Sequence, residues 1–259
     1  MKPHVEDAIE MESFTLPVTT QTFCVIGQTP FITAAMSAKA KAELFFPAKK
    51  KNKAERESTI KHDPLREFMD CFYLTKPSAP TAFGMPAVCF KKAMATAALV
   101  TPGATKSDIN RLVWVSATDL VPIYGIPQLF LAITRSANMN RTPDMRSRPI
   151  VPQWACVVSV QFLKDMIPAK KVAELMMVAG YVSGIGDFRV EKGAGNYGQW
   201  RLCASDDPDF RAIIETGGRE AQQAAMADPA PYDHETEKMM AWFNDEVRRR
   251  GAESKLAAK

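Results

Sequence analysis

Apolar positions along the chain follow two rhythms, and each rhythm predicts an element. FTLPVTTQTFCVIG (14–27) is dense in β-branched and aromatic residues and stops at Gly27, which predicts a strand; Pro17 marks its edge or its start. RLVWVSA (111–117), the run from Pro127 to Thr134, and WACVVSVQF (154–162) predict further strands, the last apolar enough to expect both faces buried. Helices are expected between them. TAAMSAKAKAEL (33–44) is helical on propensity after the Thr29-Pro30 break. Asp63 as N-cap and Pro64 at the first turn open a second helix, with Leu65, Phe68, Met69 and Phe72 on one face. After a turn at Pro77 to Pro80, PAVCFKKAMATAALV starts at Pro86, carries Val88, Cys89, Met94 and Leu99 among its apolar positions, and ends at Pro102-Gly103. AKKVAELMMVAGYV follows Pro168 and runs into a cluster of glycines. Segments 48–61 and 135–149 have no apolar rhythm and are expected as long mobile arms.

The interleaving of strands and helices predicts an α+β fold: a ferredoxin/RRM-like antiparallel sheet with helices on one face, long basic loop insertions and a C-terminal helical extension. Residues 1–13 are expected as a flexible N-terminus, 14–204 as the core, and 205–259 as the extension. In that extension Met239, Met240, Trp242, Phe243 and Val247 give an apolar face suited to the core or to a neighbouring subunit.

Composition narrows the function. The 259 residues are 46% hydrophobic and 24% charged, ordinary for a globular chain. No run of about 18 apolar residues is present, and the acidic N-terminus lacks the apolar stretch of a signal peptide, so no membrane partner is expected and the cytoplasm of a bacterial or phage-infected cell is. Cys24, Cys71, Cys89, Cys156 and Cys203 are scattered without a CxxC pair, and His4, His62 and His234 form no ligand spacing. Free thiols, no metal and no cofactor are the expectation. Net charge is only +4, but it is clustered: Lys49, Lys50, Lys51 and Lys53 in one segment, Arg135, Arg141, Arg146 and Arg148 in another, and Arg248 to Arg250 in the tail. Such patches attract polyanions even on a near-neutral molecule.

Gly184, Gly186, Gly193, Gly195 and Gly198 concentrate in GIGDFRVEKGAGNYGQWRL (184–202). Glycines permit positive φ and close backbone approach, and successive N–H groups in such a loop form an anion-binding concavity. Arg189, Lys192 and Arg201 add positive charge, and Tyr197 and Trp200 add surfaces on which bases stack. A plain glycine-rich turn between a helix and a last strand is the alternative. The Walker pattern is absent, and GIGDFR has arginine where a dinucleotide fingerprint needs its third glycine, which argues against nucleotide hydrolysis and dinucleotide chemistry.

At this loop the chain resembles the RAMP superfamily, the RRM-like proteins that include backbone and processing subunits of CRISPR ribonucleoproteins. Gly184-Ile185-Gly186, the basic Arg189 and Lys192, and Gly193-Ala194-Gly195 correspond to the late signature of that superfamily. In GMPAVCFKKAMATAA (84–98), Pro86, Phe90 and Lys91 match a segment that enters a helix in the backbone subunits, with Lys92 following. The arrangement is also similar to uncharacterised phage proteins. The resemblance implies an RRM-like core, contact with the backbone of single-stranded RNA or DNA, and side-by-side assembly of copies into an oligomer or filament, with other nucleoprotein subunits as further partners. It departs from the superfamily in lacking an RNP aromatic pair on the central strands and a well-placed histidine.

Three functions follow as expectations. The leading one is a non-catalytic single-strand binder that uses Lys49, Lys50, Lys51, Lys53, Lys91, Lys92, Arg135, Arg141, Arg146, Arg148, Gly184, Gly186, Arg189, Lys192, Gly193, Gly195, Tyr197 and Trp200. The second is a metal-independent endoribonuclease built on His62, Tyr197 or Lys91. The third is a phage assembly or inhibitor protein acting through the Met/Trp face of the tail.

Overall fold

A computed structural model describes residues 16–46, 60–115, 120–135, 143–192 and 195–250. Lys49, Lys50, Lys51, Lys53, Arg141 and Gly193, and the segment 1–13, lie outside them. In chain order the elements begin with β1 (Val18–Gly27), β2 (Phe31–Ile32), α1 (Ala38–Phe45), α2 (Pro64–Asp70), β3 (Tyr73–Leu74), β4 (Phe83–Pro86) and α3 (Ala87–Ala97). They continue with α4 (Lys106–Leu112), β5 (Val113–Val115), β6 (Leu120–Pro122), β7 (Gln128–Arg135), β8 (Pro143–Val151), β9 (Ala155–Leu163) and α5 (Ala169–Val182). The last are β10 (Trp200–Cys203), α6 (Pro208–Thr216), α7 (Arg219–Ala227) and α8 (His234–Arg249).

β10, β1, β9 and β5 form a four-stranded antiparallel sheet in that order. Helix α3 lies between β1 and β5 in sequence, and α5 joins β9 to β10, so the connectivity is the expected ferredoxin-like one. Phe23 and Val25 of β1 sit opposite Val158 and Cys156 of β9. Together with Val160 and Phe162 they carry α3 through Phe90 and Met94, and α5 through Val172, Leu175 and Met176. The rings of Phe90 and Trp200 meet at 5.7 Å.

Several expectations need correction. The other face of β9 is not buried throughout: Val157 is 42% exposed, and Thr22 and Ser159 hydroxyls meet at 3.0 Å across the sheet. Among the described residues only the Ile26–Ala155 end is covered, by Phe210, Ile213 and Ile214 of α6. The first helix begins at Ala38, later than residue 33, because Ser37 caps it by accepting from Ala40 N. Asp63 caps α2 as expected, accepting from Arg66 N, but Leu65 and Met69 face out and the helix is held by Phe68 and by Phe72 just beyond its end. On α3 the inward residues are Phe90, Ala93, Met94 and Ala97, with Val88 exposed and Leu99 outside the helix. Residues 111–117 are not one strand: Thr105 and Asp108 form a capping box that starts α4, which runs to Leu112 before β5.

The largest correction concerns 135–149. Residues 143–151 are a strand, β8, paired residue for residue with β7 from Gln128–Ile150 to Arg135–Pro143. Its inward positions include Ser147 and Pro149, which carry no apolar signal; the Ser147 hydroxyl is satisfied by donating to Pro64 O at 2.6 Å. Together with β2, β7 and β8 make a second sheet, and β3, β4 and β6 make a third.

The three C-terminal helices dock on the same chain's core. Buried Gln222 of α7 accepts from Ala82 N at 2.7 Å and donates to Ile123 O at 2.8 Å and Gly125 O at 3.0 Å. The segment before α8 pairs with β7: Leu129 N donates to Ala230 O, and Tyr232 N to Leu129 O, both at 2.8 Å. Leu131 N then donates to Thr236 Oγ1 at 3.2 Å. Among the described residues no helix is long and apolar enough to cross a membrane.

Candidate nucleic-acid interface

The glycine-rich segment leaves the end of α5, crosses the ends of β1 and β2, and returns as β10. Its glycines serve packing. Gly198 sits at φ 72°, where a Cβ would collide with the Ile185 carbonyl. Gly184 and Gly186 also have positive φ and are buried, Gly186 against Ile32 O and the Phe31 ring. The backbone N–H groups are largely consumed inside the protein: Ile185 N donates to Gly198 O at 3.0 Å, Asp187 N to Ile32 O at 2.9 Å, and Gly198 N to Pro30 O at 2.8 Å. A concavity of successive outward N–H groups is therefore not what these residues build. Trp200 is a correction of the same kind. Its ring is fully buried and its indole N–H donates to Met176 O at 3.2 Å, so it offers no stacking surface.

The outward features are the residues between the glycines. Asp187 accepts from Arg148 Nε at 3.1 Å, which ties the loop to β8, and its other oxygen accepts from Phe188 N at 3.1 Å. Phe188 is thereby held at φ 51°, uncommon for a residue with a side chain of this size. Its ring lies 6.4 Å from Tyr197, which lies 6.4 Å from Phe130 of β7; Tyr232 meets Phe130 edge-on at 5.7 Å. Burial, then Tyr232 and Asp233, push the Tyr197 phenol above its ordinary pKa. Phe130, Phe188 and Tyr197 line an open cleft of about 300 Å³ whose floor is β7. Outside it, Arg146 stands opposite Ala132, a lining residue, and is exposed; Arg148 stands opposite Phe130.

The two segments that carry the RAMP resemblance meet here. Glu191 accepts from Thr96 of α3 at 3.0 Å and from Arg189 Nε at 3.0 Å. Burial alone would raise the Glu191 carboxyl, but the hydrogen bonds from Arg189 and Thr96 outweigh it and hold the group below its usual value. Burial pushes the Cys89 thiol up, opposed by the charges of Lys92 and Arg189 nearby. Arg189 Nη1 also donates to Gly186 O at 3.1 Å, so this guanidinium is half committed to the loop. Lys92 and Lys192 are exposed, as is Arg135 at the end of β7. Lys91 is tied elsewhere, donating to Asn110 O at 2.8 Å. Gly195 packs close to the Tyr197 ring.

His62 is bracketed by carboxylates, Nδ1 at 2.8 Å from Glu67 and Nε2 at 3.1 Å from Asp144, with Lys61 on Asp144 at 2.9 Å. Among the described residues no hydrogen bond or ring contact joins any two of His62, Lys91 and Tyr197. A separate apolar groove of about 440 Å³ runs beside α8, lined by Leu131, Met145, Met239, Trp242 and Phe243. Val247 is buried, whereas Trp242 is 68% exposed. Among the described residues no group of three or more His, Cys, Asp or Glu could hold a metal ion.

Sequence reasoning missed Phe130, Phe188, Tyr232, Asp233 and Glu235. Phe188 stood inside the quoted motif; Phe130 looked like any strand residue; Asp233 reads only as a helix N-cap, which it also is, accepting from Thr236 N at 2.8 Å.

No protein-family model matches the chain, and no curated protein matches it. Among solved structures it is similar to a chain in the cryo-EM structure of the Type III-B Cmr-beta bound to cognate target RNA, at 12% identity and a TM-score of 0.35, covering 73% of this chain and 60% of that one. The chain thus spans about 60% of the length of that relative.

Proposed function

We propose that the chain binds single-stranded nucleic acid, RNA or DNA, without chemistry on it, along the outward face of β7 and β8 and the rim of the glycine-rich loop. The observation that carries this reading is the adjacency of exposed Arg146 to a cleft walled by Phe130, Phe188 and Tyr197. A single strand offers phosphates and unstacked bases together, and a cation beside aromatic rings answers both. Exposed Arg135, Lys92 and Lys192 extend the positive rim. Binding of this kind needs neither metal nor general base. The resemblance of segments 84–98 and 184–202 to the RAMP superfamily adds side-by-side assembly of copies on the strand.

The test is fluorescence anisotropy with labelled single strands and the matching duplex. The expected result is preference for the single strand and an affinity that falls steeply between about 50 and about 200 mM salt. Absence of binding to every strand at low salt, or affinity indifferent to salt, overturns the reading. Cleavage of labelled RNA in EDTA would favour the endoribonuclease instead.

A further inference from the structure

We propose that the cleft of Phe130, Phe188 and Tyr197 is a base-recognition subsite for guanine, with the carboxylates of Asp233 and Glu235 reading its Watson–Crick edge; this rests on the single-strand reading above. The cleft has a distinctive chemistry. Among the described residues its lining includes Asp233 and Glu235 and no lysine, arginine or histidine. A phosphate placed there would face two carboxylates and no cation, so the backbone path runs outside, over Arg146. What fits between aromatic walls and carboxylates is a flat, neutral ring whose edge donates hydrogen bonds.

Among the four bases the choice narrows by donor count. Guanine presents N1–H and the N2 amino group side by side, a pair that one carboxylate accepts in parallel. Adenine and cytosine present one amino group beside an acceptor nitrogen. Uracil presents one N–H between two carbonyl oxygens, which a carboxylate repels.

The subsite is also held in place. The chain entering α8 is bonded to β7 through Leu129 and Leu131, so Asp233 and Glu235 are fixed over the strand that forms the floor. Asp233 spends Oδ1 on the helix cap, while Glu235 has no hydrogen bond or ion pair to another side chain among the described residues. On the opposite wall Phe188 keeps its positive φ because Asp187 is locked between Arg148 and the Phe188 N–H. A strained residue fixed from both sides at the wall of a cleft is an independent sign of a binding role.

The test uses the full chain and labelled oligouridine strands carrying one central guanosine, inosine, adenosine or cytidine. Inosine keeps N1–H and lacks the N2 amino group. The expected result is a guanosine strand bound about tenfold tighter than oligouridine, with inosine recovering only part of the gain. In Glu235→Gln that ratio should fall to within about twofold of one, with Asp233→Asn, which retains a capping side chain, giving a smaller drop. Glu220→Gln on α7 is the control for loss of a surface charge and should keep the ratio. Tight, salt-dependent binding with equal affinity for all four strands overturns the guanine subsite and leaves the single-strand reading standing. So does a preference for cytidine, or a guanosine preference that survives both acidic variants. Failure to bind any strand overturns the single-strand reading itself and this inference with it.

Discussion

The two sides of the glycine-rich segment make opposite use of the same loop. On the inward side, Gly184, Gly186 and Gly198 let backbone meet backbone, and Trp200 fills the space under α5. On the outward side, Phe188 and Tyr197 stand beside Phe130 of β7, while Arg189 turns back to Glu191 and Gly186 O. The difference teaches that glycine density here marks close packing, and that the outward-facing chemistry belongs to the residues the glycines leave standing. An anion-binding nest and a tight scaffold have the same composition; only the destination of the N–H groups separates them.

The sharpest way to break this comparison is to place the same side chain on each side. Gly198→Val puts a β-branched residue at positive φ and drives its Cβ into the Ile185 carbonyl. A loss of more than about 3 kcal/mol of stability is expected, read by chemical denaturation. Gly195→Val instead meets Phe188 O at 2.8 Å and the Tyr197 ring at 3.1 Å, groups at the rim. The Phe188 carbonyl is backbone and must shift, so a loss of about 1–2 kcal/mol is expected, smaller than at Gly198 because no positive φ is involved, together with weaker strand binding as Tyr197 is displaced. If Gly195→Val unfolds the protein, or leaves binding untouched, the division of the loop into scaffold and rim is wrong.

A second contrast lies between two arginines two residues apart on β8. Arg148 is half-buried and spans Asp187 and the Cys71 sulfur, the latter at 3.3 Å. Arg148→Ala leaves Asp187 unpaired and frees the Phe188 turn, so a stability loss of about 1–2 kcal/mol is expected together with weaker binding. Arg146 is exposed. Arg146→Ala should leave the melting temperature unchanged and reduce the salt slope of single-strand binding by about 0.7, the signature of one lost phosphate contact. Equal effects on stability from both variants would place Arg146 in the scaffold as well.

What the sequence made legible follows the same division. The ferredoxin-like sheet was readable because β1, β9, α3 and α5 bury apolar side chains at a regular period. β8 was hidden because its buried positions include Ser147 and Pro149, whose satisfaction depends on Pro64 O and on pairing with β7. α4 was hidden because Ile109 is the one residue it buries, its start being set by the Thr105–Asp108 box. The candidate cleft was legible in part: Tyr197, which lines it, and Arg146, which stands beside it, were in the expected set. Phe130 joins Arg146 through the β7–β8 pairing, and Asp233 and Glu235 reach the cleft only through the docking of α8 on β7. Trp200 was misread because an aromatic in a basic loop and an aromatic in a core are the same letter.

The smallest expected effect tests whether the carboxylates near β8 are structural. Asp144 lies at the edge of that strand, hydrogen-bonded by Lys61 and within 3.1 Å of His62, which also meets Glu67. The hydrogen bond from Lys61 is the main cause that holds the Asp144 carboxyl below its usual value, assisted by the charges of Lys61 and His62 and opposed by slight burial. A carboxyl depressed in the folded state stabilises the fold above its unfolded pKa, and that contribution disappears as pH falls through the folded pKa. Because Lys61 is largely exposed, solvent screening keeps the effect at about 0.5 kcal/mol or less. Asp144→Asn should therefore lower stability slightly at neutral pH, and the difference from the parent should fade below about pH 4. Denaturation curves across that range check the sign. If Asp144→Asn instead destabilises the protein equally at all pH values, the side chain acts through shape rather than charge. If it raises single-strand affinity without any change in stability, Asp144 belongs to the rim beside Arg146 and repels the strand that the arginine attracts.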